Sequence, residues 1–258
     1  MAGPPPQVEL VIPVLNEVKA LKESVRTLRS FLGAHFPYPW GLLIADNGST
    51  DGTRELAERL SREFPDVRSF SIDQRGRGRA LRKAWSESSA DIVAYTDVDL
   101  STELEALEKL CRAIHEGGCD VATGSRLLPE SRIKRGLKRE FISRCYNRFI
   151  KCVLFTRFSD AQCGFKALSR RAVRELVPQI QDQAWFFDTE LLVLAEKQGY
   201  DVADIPVRWV DDDDSRVKIV STAWEDIKGV LRLRRLLWSK RFRTEAARRA
   251  VKQRLPVG

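Results

Sequence analysis

Asp97 and Asp99 stand one residue apart where the apolar run of "VAYTDVDLST" gives out. Acidic side chains are seldom buried without a partner, so a strand that ends on two of them is unusual. Carboxylates at i and i+2 leaving a strand can both reach a hard cation, which prefers oxygen ligands and often keeps phosphate oxygens among them. The plainer alternative is a solvated turn whose acids lie near a helix start, where the helix dipole favours them. Asp46 in "IADNGSTDGT" poses the same choice. Either it belongs to a turn built by Asn, Gly and Asp, or it accepts hydrogen bonds from a base or ribose at a strand end. "RGRGRAL", Arg75 to Leu81, combines glycines that permit close backbone approach with Arg77 and Arg79 beside a helix start. That combination suits a diphosphate, and it also suits an exposed loop.

The elements that must position these residues show in the apolar pattern. "VELVIPVLNE" reads as a strand closing on Asn16 and Glu17, and Leu21, Val25, Leu28 and Leu32 follow at helical spacing. "GLLIADNGSTDGT", "VRSFSID" and "ADIVAYTDVDL" read as three more strands, each followed by a helical pattern; Ser101 or Thr102 can cap the last. Strands alternating with helices predict an α/β fold with a mainly parallel sheet flanked by helices. Ligands in such sheets sit outside the carboxyl ends of the strands, which puts Asn16, Asp46, Asp73 and Asp97 on one rim. Farther on, "CDVATGSRLL" reads as a short strand. "SDAQCGFKALSRRAV" reads as a turn leading into a helix, and "AWFFDTELLVLAEKQG" as an apolar-faced helix. "DVADIPVRWV" reads as a late strand, and "STAWEDIKGVLRLRRLLWSKRF" as a long basic helix. The pattern predicts one domain over 7–240 and a basic tail over 241–258.

Composition narrows the partners. The 258 residues carry a net charge of +8, which points to an anionic partner: nucleic acid, a phosphate-rich substrate or an acidic membrane surface. Five cysteines without a CxxC pair and two histidines argue against a disulfide framework or a zinc site, and fit a reducing, cytoplasmic setting. "MAGPPPQ" has neither part of a signal peptide, and no apolar run reaches membrane-spanning length, so any membrane contact is expected through a surface.

"VIPVLNE", "ADNGSTDGT", "RGRGRAL" and "TDVDLS" occur in the order and approximate spacing of the family 2 glycosyltransferases, which have the Rossmann-like GT-A fold, and the chain resembles that family. The resemblance implies a nucleotide-sugar donor, UDP-glucose or GDP-mannose. Pro13, Glu17 and Asp46 would lie around the nucleoside and Asp73 near the base, with Asn16, Arg77, Gly78, Arg79 and Val98 in the same site. Asp97 and Asp99 would carry Mg2+ or Mn2+ on the diphosphate. "TGSRL", "SRIKRGLKREFISRCYNRF", "SDAQCGFKALSR", "WFFDTELL" and "VRWVDDDDSRV" look like the polyprenyl-phosphate branch, most like dolichyl-phosphate β-glucosyltransferases. Arg77 and Arg79 stand where relatives commonly carry Lys or Gly.

A phosphate monoester has a second pKa of about 6, so its oxygen is already an anionic nucleophile near neutral pH and needs cations rather than a general base. Arg126, Arg132, Arg135, Arg139 and Arg144, with Lys134 and Lys138, are candidates, and guanidinium geometry suits phosphate. The alternative is a solvated basic helix face. The apolar residues among them (Phe141, Ile142, Tyr146, Phe149, Ile150, Val153, Leu154 and Phe155) either form an interfacial helix on anionic lipid or, for most, pack onto the sheet. By the resemblance Asp160, Gln162 and Lys166 border the acceptor or diphosphate, Asp211 to Asp214 and the residues after them form a loop over the donor, and Ser215 in that loop reaches the acceptor phosphate. Asp188 and Glu190 would supply a base for a hydroxyl acceptor; for a phosphate acceptor they hold sugar hydroxyls or neighbouring arginines. The expectation is thus an inverting, metal-dependent transferase acting on polyprenyl phosphate, peripheral at the cytoplasmic face of an anionic membrane. Transfer to a glycan or small-molecule hydroxyl is the rival. A nucleic-acid-binding module would leave four acidic or amide strand ends on one rim without a role.

Overall fold

The structure, a computed structural model, describes residues 4–134, 136–210 and 219–239. Four strands, β1 (Val8–Val14), β2 (Trp40–Asp46), β3 (Val67–Ser71) and β4 (Ile92–Thr96), run parallel and are joined by α1 (Leu21–His35), α2 (Thr53–Glu63) and α3 (Arg77–Glu87). The period-two alternation of β1 divides the interior. Leu10, Ile12 and Val14 face a core shared with Leu21, Val25, Leu28 and Leu32 of α1, whereas Val11 faces a second core on the other side. In β4 the same alternation turns Tyr95 into that second core, with α3 and the later helices.

After α4 (Glu105–His115) the chain lays down β5 (Val121–Ser125), a short β6 (Arg132–Lys134), α5 (Leu137–Leu154), β7 (Phe165–Ser169), α6 (Arg170–Leu176), α7 (Phe187–Lys197), β8 (Val202–Pro206), β9 (Arg208–Val210) and α8 (Ile219–Trp238). Strand order in the seven-stranded sheet is β3-β2-β1-β4-β7-β5-β8. β7 is antiparallel to both β4 and β5, so the sheet is mixed, and "CGFKALS" holds an interior strand where a turn running into a helix was expected. Lys166, second in the five-residue strand, broke its apolar signal, yet its side chain is fully buried. "DVADIPVRWV" likewise makes two strands: β8 pairs with β5, and past Val207 β9 pairs with β6.

α7 is buried from Phe187 to Ala195 on all sides, with buried Asp188, Thr189 and Glu190 in its first turn and an apolar run after them. Two glycines let neighbouring helices reach it. A Cβ on Gly78 of α3 would sit 2.6 Å from Phe187, and one on Gly229 of α8 would sit 2.5 Å from Phe186. No helix among the described residues is long and apolar enough to cross a membrane.

Candidate active site

The four strand ends meet on one rim, as the parallel order requires. Asn16 has a left-handed backbone (φ 57°), takes a hydrogen bond to its side chain from Thr50 N (2.8 Å) and donates its own N–H to Ser49 Oγ (2.8 Å). Glu17 N donates to Thr53 Oγ1 (2.8 Å). Buried Asp46 accepts from Ser49 N (3.1 Å), so its carboxylate shapes the β2 turn. Asn47, which sequence reasoning passed over as a turn residue, is the tie between loops. Its Nδ2 donates to Val14 O (2.8 Å), and its Oδ1 accepts from Gly76 N (3.3 Å). Pro13 is buried inside β1, paired in register with Ala45. Asp73 points outward, 97% exposed, with Arg54 at 3.8 Å.

Asp97 follows β4 with the parity of Tyr95, and Val98 turns the other way, buried beneath Ser24 Oγ, which donates to its carbonyl (2.5 Å). The Asp97 Oδ1 accepts from Arg77 Nη2 (2.7 Å), and Arg77 Nη1 donates to Asp188 Oδ2 (3.1 Å). Asp188 Oδ1 in turn takes the Tyr95 hydroxyl (2.5 Å) and lies 3.2 Å from Lys166 Nζ. The Arg77 guanidinium is stacked between the rings of Tyr95 (4.9 Å) and Trp185 (5.0 Å). Burial, with the charges of Asp99 and Asp188, raises the Asp97 carboxyl above its ordinary range, against the pull of Arg77. Burial also raises the Tyr95 hydroxyl. Asp99 is exposed and accepts from Ser101 N (3.0 Å).

Gly164 of "QCGFK" explains itself here: a Cβ on it would lie 1.7 Å from Asp97 Oδ2. The glycines of "RGRGRAL" answer to protein rather than to open space. A Cβ on Gly76 would meet Gln183 O at 2.4 Å, Gly78 abuts Phe187, and Arg79 N donates to Gln183 O (3.1 Å). The Nε atoms of Arg77 and Arg79 are buried without a protein partner.

No three His, Cys, Asp or Glu side chains converge among the described residues. A divalent ion at Asp97 and Asp99 would therefore complete its shell with substrate phosphate oxygens and water, the usual habit of Mg2+. That donor set fits the group.

On the other side of the rim, Arg126, only 12% exposed, grips buried Asp160 through Nε–Oδ2 (2.7 Å) and Nη2–Oδ1 (3.0 Å) and lies over Trp209 (5.5 Å). Burial alone would raise the Asp160 carboxyl, but the charge and hydrogen bonds of Arg126 hold it down at about 2. Gln162 donates from Nε2 to Asp226 Oδ2 (2.8 Å) on α8, and Asp226, also bonded by Tyr146, is raised by burial to about 6. Lys166 donates to Cys163 O (2.6 Å) and, with Asp188, has only internal partners. Glu190 is fully buried; it receives both Nη atoms of Arg232 (3.1 and 2.7 Å) and the N–H of Asp182 (2.9 Å). Burial pushes the Cys163 thiol up to about 12, so it supplies no thiolate at neutral pH. Arg132 is exposed on β6, and Arg144 is exposed on α5 beside Glu140 (2.5 Å). Arg135, the side chains of Lys138 and Arg139, Asp211 to Asp214 and Ser215 lie outside the described residues.

Three functional neighbours escaped the sequence: Tyr95, Trp185 and Asp226. Tyr95 and Trp185 look like core aromatics. Asp226 sits in a basic helix, and its one signal was an acid on the helix face that carries Gly229, Val230 and Leu233.

The comparisons agree with this architecture. The chain is 37% identical over 249 residues to glycosyltransferase AglD of Haloferax volcanii, covering 94% of this chain and 39% of that protein. It is 30% identical to a dolichyl-phosphate beta-glucosyltransferase of Trichomonas vaginalis, over 81% of this chain and 65% of that one. The Saccharomyces cerevisiae dolichyl-phosphate beta-glucosyltransferase is 28% identical, over 81% and 69%. The chain thus spans under two thirds of the first two relatives' lengths. Among solved structures, glucosyl-3-phosphoglycerate synthase of Mycobacterium tuberculosis in complex with UDP superposes with a TM-score of 0.67 at 21% identity, covering 88% of this chain and 79% of that one, which establishes the shared fold. Residues 9–177 match Glycosyl transferase family 2, and the chain belongs to that family.

Proposed function

We propose that this chain transfers one hexose from a nucleotide diphosphate sugar to a polyprenyl monophosphate with inversion, giving a β-linked glycolipid. The observation that carries the acceptor class is the state of Asp188 and Glu190, the two carboxylates that a hydroxyl acceptor would call on as base. Asp188 is held by Tyr95, Lys166 and Arg77, and Glu190 by Arg232 and Asp182 N, so the oxygens of both already face protein donors rather than an acceptor hydroxyl. A phosphate oxygen needs no such base. It attacks the anomeric carbon as the bond to the nucleoside diphosphate breaks, and the leaving group departs with the electron pair. Names of relatives support the same reading, since several are dolichyl-phosphate beta-glucosyltransferases.

On this reading Asn16, Asp46 and the β2 turn cradle the nucleoside, and Arg77 and Arg79 face the diphosphate. Asp97 and Asp99 would hold Mg2+ or Mn2+, which would supply charge neutralisation at the leaving diphosphate. Neighbouring structures crystallised with Mn2+ or Mg2+ and UDP are consistent with that role. Arg126, with Arg132 beyond it, positions the acceptor phosphate.

The lipid is met at the surface formed by α5 and α8. Ile150 and Leu154 of α5 are buried, while Phe141 and Phe149 with Phe155 just beyond stay exposed, joined by Trp224, Ile227, Leu231 and Trp238 of α8. Arg144, Arg148, Lys228 and Arg235 lie exposed among them, a mixture suited to anionic lipid at a cytoplasmic membrane face.

The test incubates the protein and Mg2+ with UDP-glucose, GDP-mannose and related donors plus dolichyl phosphate, reading glycolipid by mass spectrometry. A glycolipid from one donor is the expected result. Turnover on a hydroxyl acceptor with no glycolipid from any donor overturns the reading.

A further inference from the structure

One oxygen of the Asp97 carboxylate is already paired, and the other is crowded by the backbone. Oδ2 lies against the backbone of Gly164, where a Cβ would come within 1.7 Å, and Oδ1 carries the Arg77 ion pair at 2.7 Å. A divalent ion reaching Oδ1 has to displace that guanidinium, and would otherwise stand beside a like charge. Arg77 is not free to leave altogether. Asp188 holds its other Nη at 3.1 Å, and Tyr95 and Trp185 flank its plane. Its Nε is buried with no partner, so the guanidinium keeps an unused donor at the point where α3 begins. Guanidinium prefers bidentate oxyanions, and a diphosphate offers what a single carboxylate oxygen does not.

Resting on the donor reading above, we propose that Arg77 is a built-in counter-cation for Asp97. It fills the cation position in the nucleotide-free protein. It yields that position only when a nucleoside diphosphate arrives, shifting to the phosphate oxygens while Asp188 keeps it on its tether. Metal and nucleotide therefore enter as a pair, and Arg77 is a positioning residue that enforces the pairing.

Mn2+ binding followed by electron paramagnetic resonance, with and without UDP or GDP, tests this without reference to turnover. The parent should bind Mn2+ weakly alone and strongly with one of the two nucleotides. Arg77→Gln should bind Mn2+ alone about tenfold more tightly than the parent, because the competing charge is gone. Its gain from the added nucleotide should shrink, and Asp97→Asn in the same background should return Mn2+ binding to the parent's nucleotide-free level. Should Arg77→Gln fail to fold, Arg77→Lys serves. One amine cannot bridge both carboxylates, so nucleotide-free affinity should rise by about threefold. Failure of the donor reading would show separately, as no Mn2+ signal in the parent that depends on either UDP or GDP. With that signal present, equal nucleotide-free affinity in parent and variants overturns the counter-cation role alone.

Discussion

The two halves of the rim are built differently. On the proposed donor side, β1, β2 and β4 deliver Asn16, Asp46 and Asp97 from rigid parallel strands, and the loops between them are tied by hydrogen bonds between side chain and backbone, such as Ser49 N to Asp46 and Asn47 Nδ2 to Val14 O. On the proposed acceptor side the side chains are fixed by buried ion pairs, Arg126 with Asp160 and Glu190 with Arg232, and Asp188, shared by Lys166 and Arg77, joins the two sides. The difference teaches where fragility lies. An exposed donor-side acid such as Asp99 can be lost with the fold intact, whereas losing one partner of a buried pair leaves a buried charge behind.

The sharpest way to break that contrast is Arg126→Ala. With Asp160 left buried and uncompensated, stability should fall by about 3–5 kcal/mol in urea unfolding, and Arg126→Ala with Asp160→Ala should recover much of it. A small loss in the single variant would mean that the acceptor side is no more dependent on its pairs than the donor side. Asp99→Ala should do the opposite. Its exposed carboxylate accepts one backbone hydrogen bond, so melting should be nearly unchanged while glycolipid formation drops by about a hundredfold or more. Unchanged turnover would return the Asp97–Asp99 pair to an ordinary turn.

Asp226 adds a pH signature. Its carboxyl is raised to about 6 by burial, with Asp182 and Glu225 adding to the rise and Tyr146 and Gln162 opposing it. The unfolded chain ionises this group at about pH 4 and the folded one at about pH 6, so folding loses stability across that window as pH rises. Asp226→Asn should remove the slope, making the variant more stable than the parent by about 1–2 kcal/mol at neutral pH and by little at acid pH. Chemical denaturation at several pH values reads this directly; parallel curves would mean that Asp226 is ionised as easily in the fold as outside it. The smallest effect is expected for Arg144→Ala, whose exposed pair with Glu140 should contribute less than about 0.5 kcal/mol. Its consequence should instead be weaker sedimentation with vesicles containing anionic lipid.

Legibility followed the same division. The strand ends could be read because a parallel strand is a short apolar run and its polar closure falls at a fixed place, so the placement of Asn16, Asp46, Asp73 and Asp97 on one rim needed only the alternation of strands and helices. β7 could not be read. Five residues with a lysine at the second position carry too little pattern, and the partner that makes burial of Lys166 possible, Asp188, lies in another element. The glycines of "RGRGRAL" read from sequence as room for a diphosphate, because nothing local shows that Gly76 and Gly78 must clear Gln183 and Phe187. Of the apolar residues of α5, those that pack and those that stay exposed separated only once α8 was in place beside them.

The sequence by itself determined the sheet's first four strands, the acidic rim and the cationic surplus, since these follow from local pattern and composition. Only the tertiary structure decided the state of each charge. Arg77 and Asp188 are 111 residues apart in the chain and 3.1 Å apart in space, and no local rule selects that pairing from the many available. Whether Asp97 is a vacant ligand or a carboxylate already holding a cation is a matter of long-range burial, where one neighbour changes the answer.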